Sequence, residues 1–309
     1  MTAIEPESFG PPAAAIDNLV TGNVDGGGPS RGAIPGRARS ERAIRVGAYA
    51  AMTAISLLFF IPFLWTVSTS LKTLPETAYF SLLPNHWSLQ AYHDVWTKYD
   101  FARYIENSAG LSVAITLITL VVAGLGGYAF ARLRFPGREI LFFGVLATLM
   151  VPDQLRLVPV YEMLVKWHLI NTYTGYVLIK LGLATSLFLM RQYFLTIPKD
   201  LEEAAKLDGA GYFKTFWRVM LPLAGPALAA VTILEFQGAW NDFFWASLLL
   251  QTPDHYTVQL GLAQFVFQYH TEWPKLMAAS VIAILPIVAV YLVFQRYFVA
   301  GVASAGVKG

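Results

Sequence analysis

Charged and amide side chains set inside long apolar runs are the residues of this sequence with the most chemical capacity. Glu235, Gln237, Trp240, Asn241, Asp242 and Trp245 share one such run. Carboxylate, amide and indole groups together can exchange hydrogen bonds with the hydroxyls of a solute and stack on its apolar faces. A second group, Pro152, Asp153, Gln154, Arg156 and Pro159, interrupts another apolar run with charges flanked by prolines. That is the pattern of a broken or kinked helix beside a cavity. Each group also has a plainer structural account. Asp153 and Arg156, at i and i+3, can pair and steady a kink, and Asn241 can tie neighbouring helices by hydrogen bonding. Covalent and metal chemistry find no footing. The chain has no cysteine, so thiolate, disulfide and Cys-ligated metal sites are excluded. Its 5 histidines, at 86, 93, 168, 255 and 270, form no HExxH and converge on nothing.

These groups are expensive only if the runs around them lie in lipid, and composition places them there. Of 309 residues, 56% are hydrophobic and 14% charged, with a mean hydropathy of +0.51. A span needs roughly 20 mostly apolar residues to cross a hydrocarbon core of ~30 Å. Six segments qualify: about Val46 to Leu71, Asn107 to Leu133, Ile140 to Leu164, Tyr173 to Leu195, Leu221 to Leu250 and Lys275 to Val299. All must be helices, because lipid offers the backbone no hydrogen-bond partner and barrel-type alternation is missing. In the second, Gly124, Gly126 and Gly127 with Ala123 and Ala129 make a small-residue surface for close helix packing. The expected fold is therefore all-α and polytopic.

Residues 1 to about 40, rich in Gly, Pro and Ala without a sustained period, read as a flexible tail, and 41–309 as the membrane domain. With that tail in the cytoplasm, 15 of the 22 lysines and arginines fall on the cytoplasmic side. They run from Arg31 to Arg45, through Arg132, Arg134, Arg138, Arg191, Lys199, Lys206, Lys214 and Arg218, to Arg296 and Lys308. This bias puts both termini inside. Trp87, Tyr92, Trp96, Tyr99, Tyr256 and Trp273 then lie in external segments at the membrane–water boundary. The net charge of +2 points to no nucleic-acid partner.

Between the fourth and fifth spans, residues 199–222 hold Lys199, Asp200, Glu202, Glu203, Lys206, Asp208, Lys214 and Arg218. Pro198 followed by acids near the positive end of a helix dipole marks a helix start. Gly209 and Gly211 break the helix, and a second one carries Tyr212, Phe213, Phe216 and Trp217 to the next span. The plain account is an amphipathic pair lying at the lipid interface. The sharper one is a rigid knob that docks in a soluble partner and passes its movement to the spans.

Glu203-Ala204-Ala205, then three residues, Gly209, nine residues and Val219-Met220-Leu221-Pro222, resemble the EAA–G–IxLP signature of ABC importer permeases, with Val219 for the usual Ile. Asp208-Gly209-Ala210, Trp240-Asn241-Asp242 and the ending from Gln295 to Gly309 are similar to the smaller, six-span permease of the maltose-type carbohydrate-uptake systems; Ala303-Ser304-Ala305 departs from that ending. The resemblance covers about 40 to 309 and implies the type I importer permease fold. It implies that Glu203, Ala204, Ala205, Asp208, Gly209, Leu221 and Pro222 couple the chain to an ATPase subunit. It implies as partners a second permease chain in a heterodimer, two ATP-binding subunits and an extracytoplasmic solute-binding protein, in the cytoplasmic membrane of a prokaryote. The small Ala side chains would permit close approach, and Glu203 would meet a partner cation.

The chain itself offers no nucleotide site. Gly301 to Gly309 comes nearest to GxxxxGK[ST], but Val307 precedes the lysine, Gly309 stands where Ser or Thr is required, and the stretch follows a membrane helix. ATP and Mg are thus expected on the partners, with no cofactor, metal or catalytic residue here. The competing function is a stand-alone secondary transporter or channel for a small polar solute. Such carriers commonly show internal repeats; none is evident here, and a self-sufficient carrier has no use for the 199–222 knob.

Overall fold

The computed structural model describes residues 35–266 and 270–306, with side chains over 44–266 and 270–296. Helix α1 runs Pro35–Ser70. A proline at the first helical position gives up an N–H that would have no partner anyway, so the helix reaches back through 35–40, residues expected in the unordered tail. The rest of that tail lies outside the described residues. Side chains from Ile44 to Trp65 are exposed, as suits a helix whose solvent is lipid. The chain falls into two units, 1–61 and 62–309, and the packing described below belongs to the second.

The remaining helices are α2 (Gln90–Lys98), α3 (Phe101–Arg132), α4 (Arg138–Ala147), α5 (Asp153–Lys166), α6 (Tyr173–Lys180), α7 (Leu183–Thr196), α8 (Asp200–Leu207), α9 (Tyr212–Thr215), α10 (Leu221–Leu223), α11 (Gly225–Trp240), α12 (Phe244–Leu249), α13 (Val258–Ala263) and α14 (Trp273–Gly306). Among the described residues, three stretches are long and apolar enough to cross a membrane unbroken: Ile44–Ser70, Phe101–Arg132 and Trp273–Arg296. The other three expected spans are bent pairs. Arg138–Met150 meets α5 at 101°, α6 meets α7 at 46°, and Tyr212–Leu223 meets α11 at 77°. Each pair taken as one span brings the number to 6.

The fifth span departs most from the single run expected over 221–250. It bends at Ala224, where Pro226 has no N–H to continue the ladder, and breaks again at 241–243. There the Asp242 carboxylate accepts the Ala246 N–H at 3.1 Å and so starts α12 afresh.

α3 is the central post, packed on α7 and α11, while α11 packs on α14. Lipid tails are as apolar as leucine, so this association rests on close van der Waals fit. Gly126 and Gly127 supply it: a Cβ on Gly127 would stand 2.6 Å from Met190 Cβ, and one on Gly126 2.8 Å from a Leu187 methyl. Near the start of α3, Asn107 donates to the carbonyls of Asp254 and Tyr256, both at 2.9 Å, and accepts from the Tyr173 hydroxyl at 2.8 Å. Three buried clusters result. The one that anchors the 199–222 segment joins Tyr128, Met190, Phe194, Phe216 and Met220.

Candidate functional site

The 199–222 segment folds as the helix–turn–helix expected of it. Asp200, Glu202 and Glu203 occupy the first turn of α8, where the dipole favours negative charge. The helix closes with the Gly209 and Ala210 amides donating to Lys206 and Ala205 carbonyls at 3.0 and 2.9 Å. Gly209 has φ +76°, a left-handed conformation that a Cβ would oppose. Beyond α9, a single π turn covers Phe216–Met220. Phe216 and Met220 are fully enclosed, and the Phe216 ring lies 5.3 Å from that of Tyr128 and 6.3 Å from that of Phe194. The base of the knob is thus bolted to α3 and α7.

Its outer side is open. Glu203, Ala204, Asp208 and Gly209 are exposed, as are Tyr212 and Phe213, and Leu207 is 90% exposed. Ala205 faces the other way and is buried, so its small size serves the packing of α8 on its own chain. Leu221 packs against the cluster around Phe216, and Pro222 is exposed. The neighbouring acids of α8 have separate partners. Glu203 points outward, while Glu202 is buried against Arg132, with Arg132 Nε 3.0 Å from Glu202 Oε1. Sequence reasoning placed Glu202 at a helix start and Arg132 in the charge bias, without pairing them, and gave no role to Leu207. The adjacent Glu202-Glu203 pair was visible, but nothing in it says which acid faces inward.

The two polar groups inside the spans meet in part. Val151, extended ahead of Pro152, ends the first half of the third span, because the proline ring disfavours a helical residue before it. Pro159 lies within α5 without breaking it. Asp153 begins α5 and pairs with Arg156. The Trp245 indole reaches Asp153 from α12 at 3.3 Å. Asp242 is held by Lys180 Nζ at 3.1 Å, by the Tyr176 hydroxyl at 3.0 Å and by the Ala246 amide. Pro152, Asp153, Arg156, Lys180, Gly182 and Trp245 line a cavity of about 400 Å³ at the breaks of the third and fourth spans. Glu235 approaches the fourth-span break from α11: it accepts a 2.5 Å hydrogen bond from Ser186, and a Cβ on Gly182 would lie 3.6 Å from its carboxylate.

The rest of the fifth-span group stands apart. Trp240 is 1% exposed, stacked on Phe236 and donating to the Ala283 carbonyl at 3.1 Å. Asn241 accepts from Gln259 at 3.2 Å, and Gln237 is exposed. Lys180 and Tyr176 were not singled out beforehand, although a lone lysine inside an apolar run is a signal a sequence carries. Among the described residues no cluster of acids and histidines could hold a metal ion.

Residues 123–304 match the family model described as "binding-protein-dependent transport system inner membrane component". The chain belongs to that family. Both the knob and the broken spans lie inside the matched stretch. The permease is 39% identical over 206 residues to the arabinooligosaccharides transport system permease protein AraQ of Halalkalibacterium halodurans, covering 67% of this chain and 74% of the relative. It is 34% identical over 275 residues to the diacetylchitobiose uptake system permease protein NgcG of Streptomyces coelicolor, covering 87% and 90%. A solved bacterial ABC transporter involved in the import of the acidic polysaccharide alginate superposes with a TM-score of 0.73 at 26% identity, over 84% of this permease and 98% of that chain. The permease is thus a membrane component of an ABC importer with the fold that the signature implied.

Proposed function

We propose that this permease forms, with a second permease chain, the translocation pathway for a carbohydrate. In this assembly an external binding protein delivers the solute, and two ATPase subunits that bind ATP and Mg drive transport through the 199–222 knob. The single observation that carries this is the knob itself: an EAA-type helix whose outer side is open, turned at a left-handed glycine and anchored by Phe216 and Met220. The positive-charge bias supports a cytoplasmic position for the knob and for both termini. The named substrates of the relatives, arabinooligosaccharides and diacetylchitobiose, support a sugar. The cavity at the helix breaks supports a solute path whose wall includes Asp153, Arg156, Lys180 and Trp245, groups able to exchange hydrogen bonds with hydroxyls.

The test is co-purification in mild detergent of the tagged permease expressed with its native partners. The expected result is an ATP-hydrolysing subunit in stoichiometric amount, lost in Glu203→Lys. A lone permease that transports without ATP would overturn the proposal.

A further inference from the structure

Arg132, the last residue of α3, is a cation with only 4% of its side chain exposed, and it faces three elements at once. Its Nη2 donates to the Phe194 carbonyl at 2.6 Å and to the Ile197 carbonyl. These belong to the last turn of α7 and its cap, where carbonyls run short of intrahelical donors; the Phe194 carbonyl also accepts the Ile197 N–H at 3.3 Å. Its Nε faces Glu202 in the first turn of α8, whose side chain is 10% exposed. The two atoms face each other as an ion pair, and neither makes a hydrogen bond among the described residues.

Only Ile197, Pro198 and Lys199 connect α7 to α8. Without a brace, three residues would let α8 pivot on the end of α7. A planar guanidinium hydrogen-bonded to one helix end and ion-paired with the start of the next limits how far the two can part, which a sliding apolar contact does not.

We propose that the Arg132–Glu202 pair is the joint through which the knob moves the membrane helices. It makes α3, α7 and α8 one body, so that a push on the exposed side of α8 displaces two spans and does not bend the 197–199 connection. Arg132 is a positioning residue. The inference rests on the coupling role assigned to the knob above.

The absence of cysteine from the chain makes the test direct. The whole complex, with its ATPase subunits and partner permease in nanodiscs, carries Ser247→Cys as a reporter, at an exposed position of the otherwise buried and part-buried α12. Maleimide labelling of the reporter is compared between the nucleotide-free and ATP/vanadate-trapped states. In Arg132→Lys, which keeps the charge and loses the fork, the complex assembles and hydrolyses ATP near the wild-type rate. The nucleotide-dependent change in labelling shrinks by about fivefold or more, and hydrogen exchange of 200–207 accelerates. Glu202→Gln, nearly isosteric, gives the same direction with a smaller loss.

A labelling change like that of the wild type in both variants overturns the joint. Failure of both to assemble also overturns it, because the pair would then hold the fold and not pass movement. A wild-type complex without an ATPase subunit refutes the coupling role itself, a result distinct from either.

Discussion

Replacing Gly127 by alanine adds one methyl group where α3 meets α7. The new carbon would stand 2.6 Å from Met190 Cβ, 2.9 Å from the Arg191 amide nitrogen and 3.0 Å from the Met190 carbonyl carbon. Carbon atoms pack at about 3.5–4.0 Å, so the helices must part by roughly 1 Å. The obstacles are backbone and Cβ atoms, which no rotamer change can move. Overpacking of this kind costs about 1–3 kcal/mol. Alanine's better helix propensity returns up to about 1 kcal/mol, leaving a net loss on the order of 1–2 kcal/mol. The same helix holds its own controls. A Cβ on Gly124 would meet Phe216 at an ordinary 3.8 Å, so Gly124→Ala keeps the propensity gain and stabilises. On Gly126 the obstacle is the far end of Leu187 at 2.8 Å, a flexible tip, so that variant falls between. Thermal unfolding of the three purified variants, followed by tryptophan fluorescence and by retention of a single size-exclusion peak, should rank them Gly124→Ala, Gly126→Ala, Gly127→Ala from most to least stable. A Gly127→Ala variant as stable as Gly124→Ala would refute the claim that glycine is there for helix approach.

Lys180→Met leaves the Asp242 carboxylate, 8% exposed, without its cation. A loss of about 3–5 kcal/mol is expected, most of it recovered in Lys180→Met/Asp242→Asn; losses that simply add in the double variant would sink the pairing. In α2, between the first two spans, the Lys98 ammonium 2.9 Å from Asp94, aided by a 2.8 Å hydrogen bond from Gln90, holds that carboxyl below the usual carboxylate range. A lowered folded value means that the stabilisation is complete above the unfolded carboxyl pKa of about 3.9 and is lost as pH falls through the folded one. With His93→Gln in both proteins, which removes an imidazole 3.9 Å from the Asp94 carboxylate, the stability cost of Asp94→Asn should therefore be flat from pH 5 to 8 and vanish only in stronger acid; a cost that changes between pH 5 and 8 would contradict this.

How far the sequence could be read depended on the range of the interaction concerned. Hydropathy is a sum over neighbours in the chain, so the spans from Asn107 and Lys275 emerged where α3 and α14 lie. Turn chemistry is equally local: Gly209 takes φ +76° because its own missing Cβ allows it, and Pro152 breaks the third span through its own ring. The 199–222 knob could be read for the same reason, its acids, glycine and spacing all lying within one segment. The fifth span resisted, because what restarts the helix after Trp240 is a side chain: Asp242, steadied by Lys180 and Tyr176 from α6, captures the Ala246 amide.

The sequence by itself determined that this is a six-span membrane chain with a helix–turn–helix between its fourth and fifth spans, since lipid length and local backbone chemistry leave few alternatives. Only the tertiary structure decided which of two adjacent glutamates is exposed and which faces Arg132. It alone brought Asp153 to Trp245 across 92 positions of sequence, and it alone withdrew Trp240 into the packing between helices. Orientation around a helix and contact between helices depend on what the other helices present, and no local pattern of residue types carries that information.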